Sequence, residues 1–204
     1  MSVKAVVFDY GKVICFPPPP AVIDRLAEKA GVAREKFEPI LWACRNDFDR
    51  GTADSKTYYK KVLSILGVEL DEKTIAEMIA MDLAGWKNIN TATVSLMEDV
   101  KKQGYTLGIL SNMPHEFLAW ARNNVPVFSL PHVSLFSCEV HLLKPEKAIY
   151  EKMIFMLGIE AEELVFFDDN AENIESAAAM GIKAFLWEDP EAARRQLLSL
   201  GMRI

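Results

Sequence analysis

Residues 3–11 read VKAVVFDYG, a short run of β-branched and aromatic residues that ends in Asp9, Tyr10 and Gly11. Such a run predicts a buried strand over residues 3–8 with a polar loop at its carboxyl end. An aspartate directly after a buried strand is costly unless it is paired or bound to a metal. The segment therefore predicts the first strand of a sheet and a candidate functional carboxylate, Asp9.

Strand and helix patterns alternate along residues 89–204. The predicted helices cover residues 91–103, 116–123, 146–157, 171–180 and 190–200, and the predicted strands cover residues 105–110, 133–136, 164–167 and 183–187. Strands separated by helices of this length predict the α/β class, with a doubly wound, mostly parallel, Rossmann-like sheet. We therefore assign residues 1–16 and 89–204 to one α/β core.

The stretch between the first strand and this alternation has only helical periodicity. It opens with four prolines, residues 17–20, which predict a stiff, extended connector and exclude a helix or a central strand at that point. The helices predicted after them cover residues 21–30, 34–44, 55–66 and 71–83. We expect residues 17–88 to form a small helical cap inserted after the first strand, with the prolines as a surface loop or as a hinge.

The composition is that of a folded protein, with half of the 204 residues hydrophobic and a quarter charged. The net charge is −6, and lysines and arginines form no stripe of the kind that nucleic acid requires. No apolar run approaches the roughly 18 residues of a membrane span. We expect neither a nucleic-acid nor a membrane partner, and either a monomer or a homodimer.

The three cysteines, Cys15, Cys44 and Cys138, fall at wide and unrelated spacings. No CxxC pair and no histidine-rich tract accompanies them. This pattern argues against a disulfide framework and a zinc site, and it favours the reducing cytoplasm as the location of the protein.

Polar residues follow other predicted strands as well, and a lysine precedes one of the predicted helices. These residues are Ser111 with Asn112, Asp168 with Asp169, and Lys144 before Pro145. In parallel α/β sheets, ligands bind outside the carboxyl ends of the strands. We therefore expect these side chains to assemble around Asp9 at one edge of the sheet.

The set suits covalent phosphoryl transfer assisted by a divalent metal. A carboxylate such as Asp9 can attack phosphorus and form an aspartyl-phosphate. Lys144 offers a cation, and the Ser-Asn pair offers a hydroxyl and an amide, for the charge that spreads over the phosphoryl oxygens. Asp168 and Asp169 would repel each other and Asp9 unless a cation such as Mg²⁺ lay between them.

Over essentially its whole length the chain resembles the haloacid dehalogenase superfamily of hydrolases. The four motifs that carry the resemblance are FDYG, LSN, LKP and FDDNAEN, and the helical insertion is similar to the small cap of that superfamily. The longer segments VVFDYGKVI, ILSN, LLKPEKAIY and VFFDDNAENIESA are most similar to bacterial α-D-glucose-1-phosphate phosphatases. Those enzymes also have a glycine two residues after the nucleophile.

Position by position, the resemblance implies a nucleophile, a metal site and a phosphate site. The implied nucleophile is Asp9. The implied Mg²⁺ ligands are Asp9, the carbonyl of Gly11, Asp168 and Asp169. The implied phosphate ligands are Ser111, Asn112 and Lys144, and Lys144 also has a catalytic role in neutralising both the nucleophile and the phosphate.

Two positions depart from the superfamily pattern. Gly11 lacks the carboxyl group that protonates the leaving group in relatives, and Lys12 stands where relatives have a glycine or an asparagine. A sugar 1-phosphate has a hemiacetal leaving oxygen, which needs less protonation, so phosphatase chemistry is compatible with the loss. Asp47, Asp49 and Arg50 are candidates for facing the site from the cap, and a solvated loop between helices is the alternative.

Three functions follow from these residues. The first is a Mg²⁺-dependent phosphatase for a small phosphorylated metabolite, with sugar phosphates among the candidates. The second is a metal-independent 2-haloacid dehalogenase, which the paired aspartates disfavour. The third is a catalytically weak relative that binds a metabolite, which Gly11 and Lys12 keep open. We expect Trp42 and Trp86 to pack inside the cap.

Overall fold

The computed structural model describes residues 2–204, which contain a five-stranded sheet. The strands are β1 (Ala5–Phe8), β2 (Thr106–Ser111), β3 (Val133–Phe136), β4 (Leu164–Asp168) and β5 (Lys183–Leu186). Their order across the sheet is β3-β2-β1-β4-β5, and every neighbouring pair is parallel. The predicted doubly wound α/β fold is confirmed, and the sheet is parallel throughout.

The central strand, β1, is buried on both sides, as expected for a parallel sheet covered by helices. Its side chains alternate between the two faces. Val6 and Phe8 belong to one hydrophobic cluster, and Ala5 and Val7 belong to another. The sheet therefore lies between two hydrophobic layers.

Five helices follow β1 and its loop, and we call residues 20–85 the helical segment. Its helices are α1 (Pro20–Lys29), α2 (Arg34–Ala43), α3 (Arg45–Asp49), α4 (Ser55–Ile65) and α5 (Glu72–Gly85). They enclose a hydrophobic cluster of their own, which includes Phe37, Phe48 and Tyr58 and contains no strand residue. The segment thus packs around a centre that is separate from the two layers on the sheet.

The two chain connections of the helical segment run side by side. The backbone N–H of Phe16 donates to the carbonyl of Asn88 at 2.8 Å, and the N–H of Asn90 donates to the carbonyl of Ile14 at 2.9 Å. Pro20 is the first residue of α1, where the fixed φ of proline suits a helix. Our expectation that the proline tract excludes a helix was therefore wrong for its last residue.

Six further helices follow the helical segment. They are α6 (Thr91–Lys102), α7 (His115–Asn124), α8 (Ser137–Val140), α9 (Lys147–Leu157), α10 (Ala171–Ala178) and α11 (Pro190–Ser199). Residues of α6, α7 and α11 pack in the cluster that contains Phe8, and residues of α9 and α10 pack in the cluster that contains Val7. Helices thus cover both faces of the sheet.

Several short elements were not predicted from the sequence. They are the π-helical turn Tyr10–Ile14, helices α3 and α8, and the 3-10 turns Pro126–Ser129 and Ala161–Glu163. Each spans five residues or fewer, which is too short for hydrophobic periodicity to show.

Along residues 2–204 there is no helix with both the length and the apolar character needed to cross a membrane. The three cysteines are buried, and each has a free thiol.

Candidate active site

The ends of three adjacent strands bring the predicted residues together. Asp9 directly follows β1, Ser111 is the last residue of β2, and Asp168 is the last residue of β4. The N–H of Asp9 donates to the carbonyl of Phe167 at 2.9 Å, so the ends of β1 and β4 lie level. The register of the parallel sheet therefore fixes the relative positions of the carboxylates.

Lys144 lies beneath this edge with its side chain only 1% exposed. Its ammonium group is 2.8 Å from Oδ1 of Asp9 and 2.5 Å from Oδ2 of Asp168, and it donates to the carbonyl of Leu110 at 3.1 Å. Burial lowers the pKa of Lys144, but the charges of Asp168 and Asp9 outweigh that effect and raise it above the usual value. The lysine is therefore a fixed cation between two carboxylates.

Asn112 holds the backbone of Lys144. Its Nδ2 donates to the Lys144 carbonyl at 3.0 Å, and its Oδ1 accepts from the Lys144 N–H at 2.9 Å. The implied phosphate contact of Asn112 is thus left to its backbone N–H or its second amide hydrogen. The side chain itself positions the lysine, a role that the sequence did not indicate.

Asp168 is completely buried and saturated with hydrogen bonds. It accepts from the N–H of Asn170 at 2.8 Å and from Nδ2 of Asn173 at 2.9 and 3.0 Å, in addition to Lys144. The side chain of Asp169 is 23% exposed and faces the cleft described below. Asp168 is thus placed to orient the site, and Asp169 is placed to meet a ligand.

Asp9, Asp168 and Asp169 each direct one carboxylate oxygen into a common region, and these oxygens lie within 4.8 Å of one another. Burial raises the pKa of Asp9 to about 7; Lys144 opposes the rise and the charge of Asp168 adds to it. Carboxylates that crowd one another in this way fit a hard divalent cation, for which oxygen atoms are the preferred ligands. The donor set suits Mg²⁺.

The turn after Asp9 contains the two positions that depart from the superfamily pattern. Gly11 has φ of −64°, a value open to any residue, and a Cβ atom there would lie 3.5 Å from Cζ3 of Trp86. Lys12 has a left-handed φ of 58°, and its ammonium group lies 2.8 Å from Oδ2 of Asp169. The region around Asp169 thus contains a second lysine, which is partly exposed.

A cleft of about 380 Å³ opens above these residues, between the sheet edge and the helical segment. Asp9 and Asp169 line the cleft, Lys144 and Asp168 lie buried beneath them, and we call these four residues the floor. We call the apolar side chains that line it the wall; they are Trp42, Leu83, Trp86, Met113, Pro114 and Phe117. Arg45 and Asp49 of α3 also line the cleft.

The end of α3 is attached to the rest of the protein close to this cleft. The hydroxyl of Ser137 donates to the carbonyl of Asp49 at 2.5 Å. Gly51 packs against Cys138, because a Cβ atom at Gly51 would lie 2.7 Å from the Cys138 carbonyl oxygen. The N–H and hydroxyl of Ser55 both donate to Oε1 of Glu116, at 2.7 and 2.6 Å. These contacts hold the helical segment against helices α7 and α8.

A family model for haloacid dehalogenase-like hydrolases matches residues 3–181. The chain belongs to this family. It is therefore an enzyme of the hydrolase class, as the motifs predicted, and its α/β sheet is the fold of that family.

Two curated relatives illustrate the range of this hydrolase family. Phosphatase MT3486 of Mycobacterium tuberculosis is 26% identical, and the match covers 98% of this chain and 96% of that protein. Bifunctional epoxide hydrolase 2 of Mus musculus is 23% identical over 97% of this chain, which spans only 38% of that protein's length.

Solved structures of haloacid dehalogenase family members share the fold. Enzyme bt-2542 of Bacteroides thetaiotaomicron has a TM-score of 0.77 and 21% identity, with 92% of this chain and 95% of that chain covered. That enzyme has also been solved in complex with magnesium and inorganic phosphate. Dehalogenases superpose as well, with TM-scores of 0.69 to 0.70 at 19 to 20% identity.

The three cap residues that we named as candidates for the hydrolase site have different positions. Asp49 lines the cleft. Asp47 forms an ion pair with Lys61 at 2.8 Å, and Arg50 forms one with Glu146 at 2.5 Å; neither lines the cleft. Of the three, only Asp49 is placed to affect a bound substrate.

Arg45 was not recognised from the sequence, and two tryptophans lie elsewhere than predicted. Trp42 and Trp86 were expected inside the cap, but both line the cleft, and Trp42 is 39% exposed. Trp42, Arg45 and Asp49 follow one another at helical spacing, which places them on one face of α2 and α3. That spacing was the available signal, although it does not show what the face packs against.

Proposed function

We propose that this hydrolase is a Mg²⁺-dependent phosphatase that acts on a small phosphorylated metabolite through an aspartyl-phosphate at Asp9. The observation that carries the proposal is the floor of the cleft. Asp9 and Asp168 both contact the buried Lys144, and Asp169, which pairs with the partly exposed Lys12, has an oxygen within 4.8 Å of theirs. This crowding of three carboxylates leaves negative charge that a divalent cation would balance. A 2-haloacid dehalogenase, which attacks carbon without a metal ion, does not need this excess of negative charge.

Asp9 is positioned to act as a nucleophile. The oxygen that accepts from Lys144, at 2.8 Å, and from the N–H of Tyr10, at 2.7 Å, is Oδ1 and not Oδ2. A Cβ atom at Gly11, on the cleft side, would lie 4.0 Å from Oδ2. Oδ2 would bond to phosphorus as the bond to the leaving oxygen breaks, and water would then release phosphate and restore the carboxylate.

The other residues of the site would stabilise charge on the phosphoryl group. Lys144 and the hydroxyl of Ser111 are the donors proposed for its oxygens, together with the N–H groups of Asn112. Asp9, the carbonyl of Gly11 and Asp169 would hold Mg²⁺, with Asp168 beside them. Bound Mg²⁺ would offset the charge of the phosphate so that an anionic nucleophile can approach.

We propose that residues 17–88 form a cap domain over a core of residues 1–16 and 89–204. Two features support this division. The helical segment has its own hydrophobic cluster, and its two connections are hydrogen-bonded to each other beside the floor. We also propose the cytoplasm as the location, which the buried free thiols support.

The finer assignment, to the glucose-1-phosphate phosphatases, is supported by the motifs and by Gly11. A leaving group that needs little protonation would suit a site with glycine at this position. Asp49 is the carboxyl group from the helical segment that reaches the cleft, and burial raises its pKa although Arg45 opposes the rise. We propose Asp49 as the first residue to test for assistance to the leaving group.

The test of the phosphatase is a screen of the purified chain. Phosphate release is measured from p-nitrophenyl phosphate, glucose 1-phosphate and glycerol 3-phosphate, with Mg²⁺ or with EDTA. Halide release from 2-chloropropionate is measured in parallel. We expect phosphate release that is lost in EDTA and in Asp9→Asn but retained in Asp24→Asn, which changes an exposed aspartate on α1.

Two results would contradict the proposal. Halide release that does not depend on metal would identify a dehalogenase, which the glycine at position 11 also permits. Silence in both assays from a folded protein would identify a metabolite-binding relative, for which the pairing of Lys12 with Asp169 is the supporting observation.

A further inference from the structure

The wall of the cleft presents apolar surface that nothing in the described chain covers. Trp42 is 39% exposed, although large aromatic side chains are normally buried. Its ring meets that of Trp86 edge to face, with the centroids 6.3 Å apart. Ligand sites are typically concave and mostly apolar, with a few polar groups that set orientation. The wall therefore has the character of a binding surface for the part of the substrate beyond the phosphate.

The polar groups of the aromatic side chains at the cleft are already engaged. The hydroxyl of Tyr10 donates to the carbonyl of Trp86 at 2.8 Å. Nε1 of Trp42 is directed to Glu38, at 3.5 Å, and Nε1 of Trp86 to Asp82, at 3.4 Å. These rings thus turn their polar atoms to protein partners and leave their carbon surface to the cleft.

Arg45 is engaged as well. Its Nε lies 2.9 Å from Oδ1 of Asp49, and its Nη1 lies 3.5 Å from Oδ2 of Asp82. Its guanidinium carbon also lies 5.1 to 6.0 Å from the centroids of four rings, those of Trp42, Phe48, Tyr58 and Trp86. With two carboxylates against one guanidinium, this side of the cleft has a surplus of negative charge, which disfavours a leaving group that is itself anionic.

A sugar would meet few partners on this surface. Each hydroxyl that is buried without a hydrogen bond weakens binding by roughly tenfold or more. An alkyl or aryl group has no hydrogen bonds with water to give up. Each methylene that it buries strengthens binding by about fourfold. The wall therefore discriminates in favour of carbon and against hydroxyl groups.

Trp86 extends this surface to the reacting centre. Its Cζ3 would lie 3.5 Å from a Cβ atom at Gly11, two residues from Asp9. A Cβ atom at that distance would be in ordinary van der Waals contact with the indole, so the indole lies directly beside the turn that follows Asp9. A leaving group that departs from phosphorus above Asp9 would enter directly between the floor and Trp86.

We propose that the substrate is a monophosphate ester of an apolar alcohol, alkyl or aryl, and that Trp42 and Trp86 hold its carbon skeleton. This inference rests on the proposed phosphatase function of the floor. It replaces a polyhydroxylated leaving group with a hydrophobic one, and it assigns the wall to substrate selection. Because an alkyl alcohol needs more protonation as it leaves than a hemiacetal does, turnover of an alkyl ester would depend on the assistance proposed for Asp49.

The first test measures binding without turnover. Methyl-, butyl- and hexylphosphonate, which have no ester bond to break, are titrated into the protein with Mg²⁺ by calorimetry. We expect affinity to rise by about threefold to fourfold for each added methylene. Trp42→Ala should flatten this dependence and Trp42→Phe should largely restore it, whereas Phe155→Ala, at an exposed position outside the cleft, should leave it unchanged.

The second test measures turnover of two six-carbon primary esters, hexyl phosphate and glucose 6-phosphate, with glucose 1-phosphate as a third substrate. Both of the first two substrates are primary phosphate esters of a six-carbon alcohol. The difference between their rates therefore reports mainly the effect of the sugar hydroxyl groups. We expect kcat/KM to favour hexyl phosphate by at least about tenfold.

The outcomes separate the two proposals. Chain-length-dependent binding without any phosphate release would support the apolar wall and overturn the phosphatase. Phosphate release that favours either glucose phosphate, or binding that does not change with chain length, would overturn the apolar wall while the phosphatase stands. Retention of chain-length dependence in Trp42→Ala would overturn the role given to that tryptophan.

Discussion

The floor of the cleft has three carboxylates and one lysine, and the charged side chains beside the wall are two carboxylates and one arginine, but the two sets differ in what their carboxylates do. On the floor, Lys144 and the N–H of Tyr10 contact Oδ1 of Asp9 and not Oδ2, and Asp169 faces the cleft beside the partly exposed Lys12. Near the wall, the carboxylates of Asp49 and Asp82 are directed to Arg45. The floor thus has groups that could receive charged ligands, whereas the two carboxylates near the wall are occupied by their shared arginine.

The two regions also differ in how they are built. The floor stands on strand ends whose register is set by the parallel sheet, so its geometry is fixed by backbone hydrogen bonds. The wall combines residues of the helical segment with residues after β2, so its geometry depends on side-chain packing between the two. The two proposals therefore place the chemistry in the region fixed by the sheet and the selection of the substrate in the region that depends on side-chain packing. Four substitutions test this division.

Asp9→Asn breaks the floor and should have the largest effect. The amide cannot attack phosphorus, so we expect phosphate release to fall by at least about 10³-fold. The wall does not depend on Asp9, so the chain-length dependence of phosphonate binding should persist in this variant. Stopped-flow phosphate detection and calorimetry on the same sample check both statements. Activity within about tenfold of the native level would exclude Asp9 as the nucleophile.

This division also explains what the sequence predicted. Asp9, Ser111 and Asp168 were placed correctly because each follows a short apolar run, and the end of such a run is visible in the sequence. Parallel pairing of adjacent strands then places their carboxyl ends at one edge of the sheet, whatever the sequence of the loops between them. Lys144 was recognised as part of the set, but its attachment to Asn112 was not, because that contact joins a side chain to a backbone 32 residues away.

The wall was not predicted for a physical reason. Periodicity shows which side chains share a helix face, but it does not show whether that face meets a hydrophobic core or a cleft. Trp42 and Trp86 were accordingly assigned to the interior. Helix α3 has five residues, fewer than two turns, so Arg45 could not be recognised as part of a helix that faces the site.

Arg45→Gln breaks the charge balance beside the wall. Arg45 is only 14% exposed, and its removal leaves Asp49 and Asp82 without a cation; the loss of one partner from a buried pair costs about 3 to 5 kcal/mol, which is the upper range for this site. The matched control is Arg34→Gln, which also removes an arginine from two carboxylates but lies at the surface. Urea denaturation should show a large loss for the first and little change for the second. Equal losses would contradict the buried network.

Gly51→Ala should displace the wall from the floor. Gly51 has φ of 75°, and a Cβ atom there would lie 2.7 Å from both the Cys138 carbonyl oxygen and Nε2 of His115. Gly67 has a similar φ of 69° with no atom within 4 Å of such a Cβ, so Gly67→Ala measures the backbone strain alone. We expect Gly51→Ala to be less stable than Gly67→Ala by about 1 to 3 kcal/mol, because of overpacking.

The same pair of variants tests the coupling between the two regions. Because α3 precedes Gly51 directly, movement there should shift Arg45 and Asp49 relative to the floor. We therefore expect Gly51→Ala, and not Gly67→Ala, to reduce the chain-length dependence of phosphonate binding. Identical denaturation midpoints and identical binding in both variants would show that the close contact at Gly51 is relieved without cost.

Lys12→Ala should increase the difference in charge between the floor and the wall, because it removes a positive charge beside Asp169. The ammonium group of Lys12 lies 2.8 Å from Oδ2 of Asp169, where it competes with a metal ion for that carboxylate. The pair is partly exposed, so its strength corresponds to about a twofold to fivefold change in affinity. We expect the Mg²⁺ concentration for half-maximal binding, measured by calorimetry without substrate, to fall by that factor. Lys36→Ala, an exposed lysine on α2 that does not line the cleft, is the control. Weaker Mg²⁺ binding in Lys12→Ala would instead show that the lysine orders Asp169 for the metal, and the floor would then depend on two cations of its own.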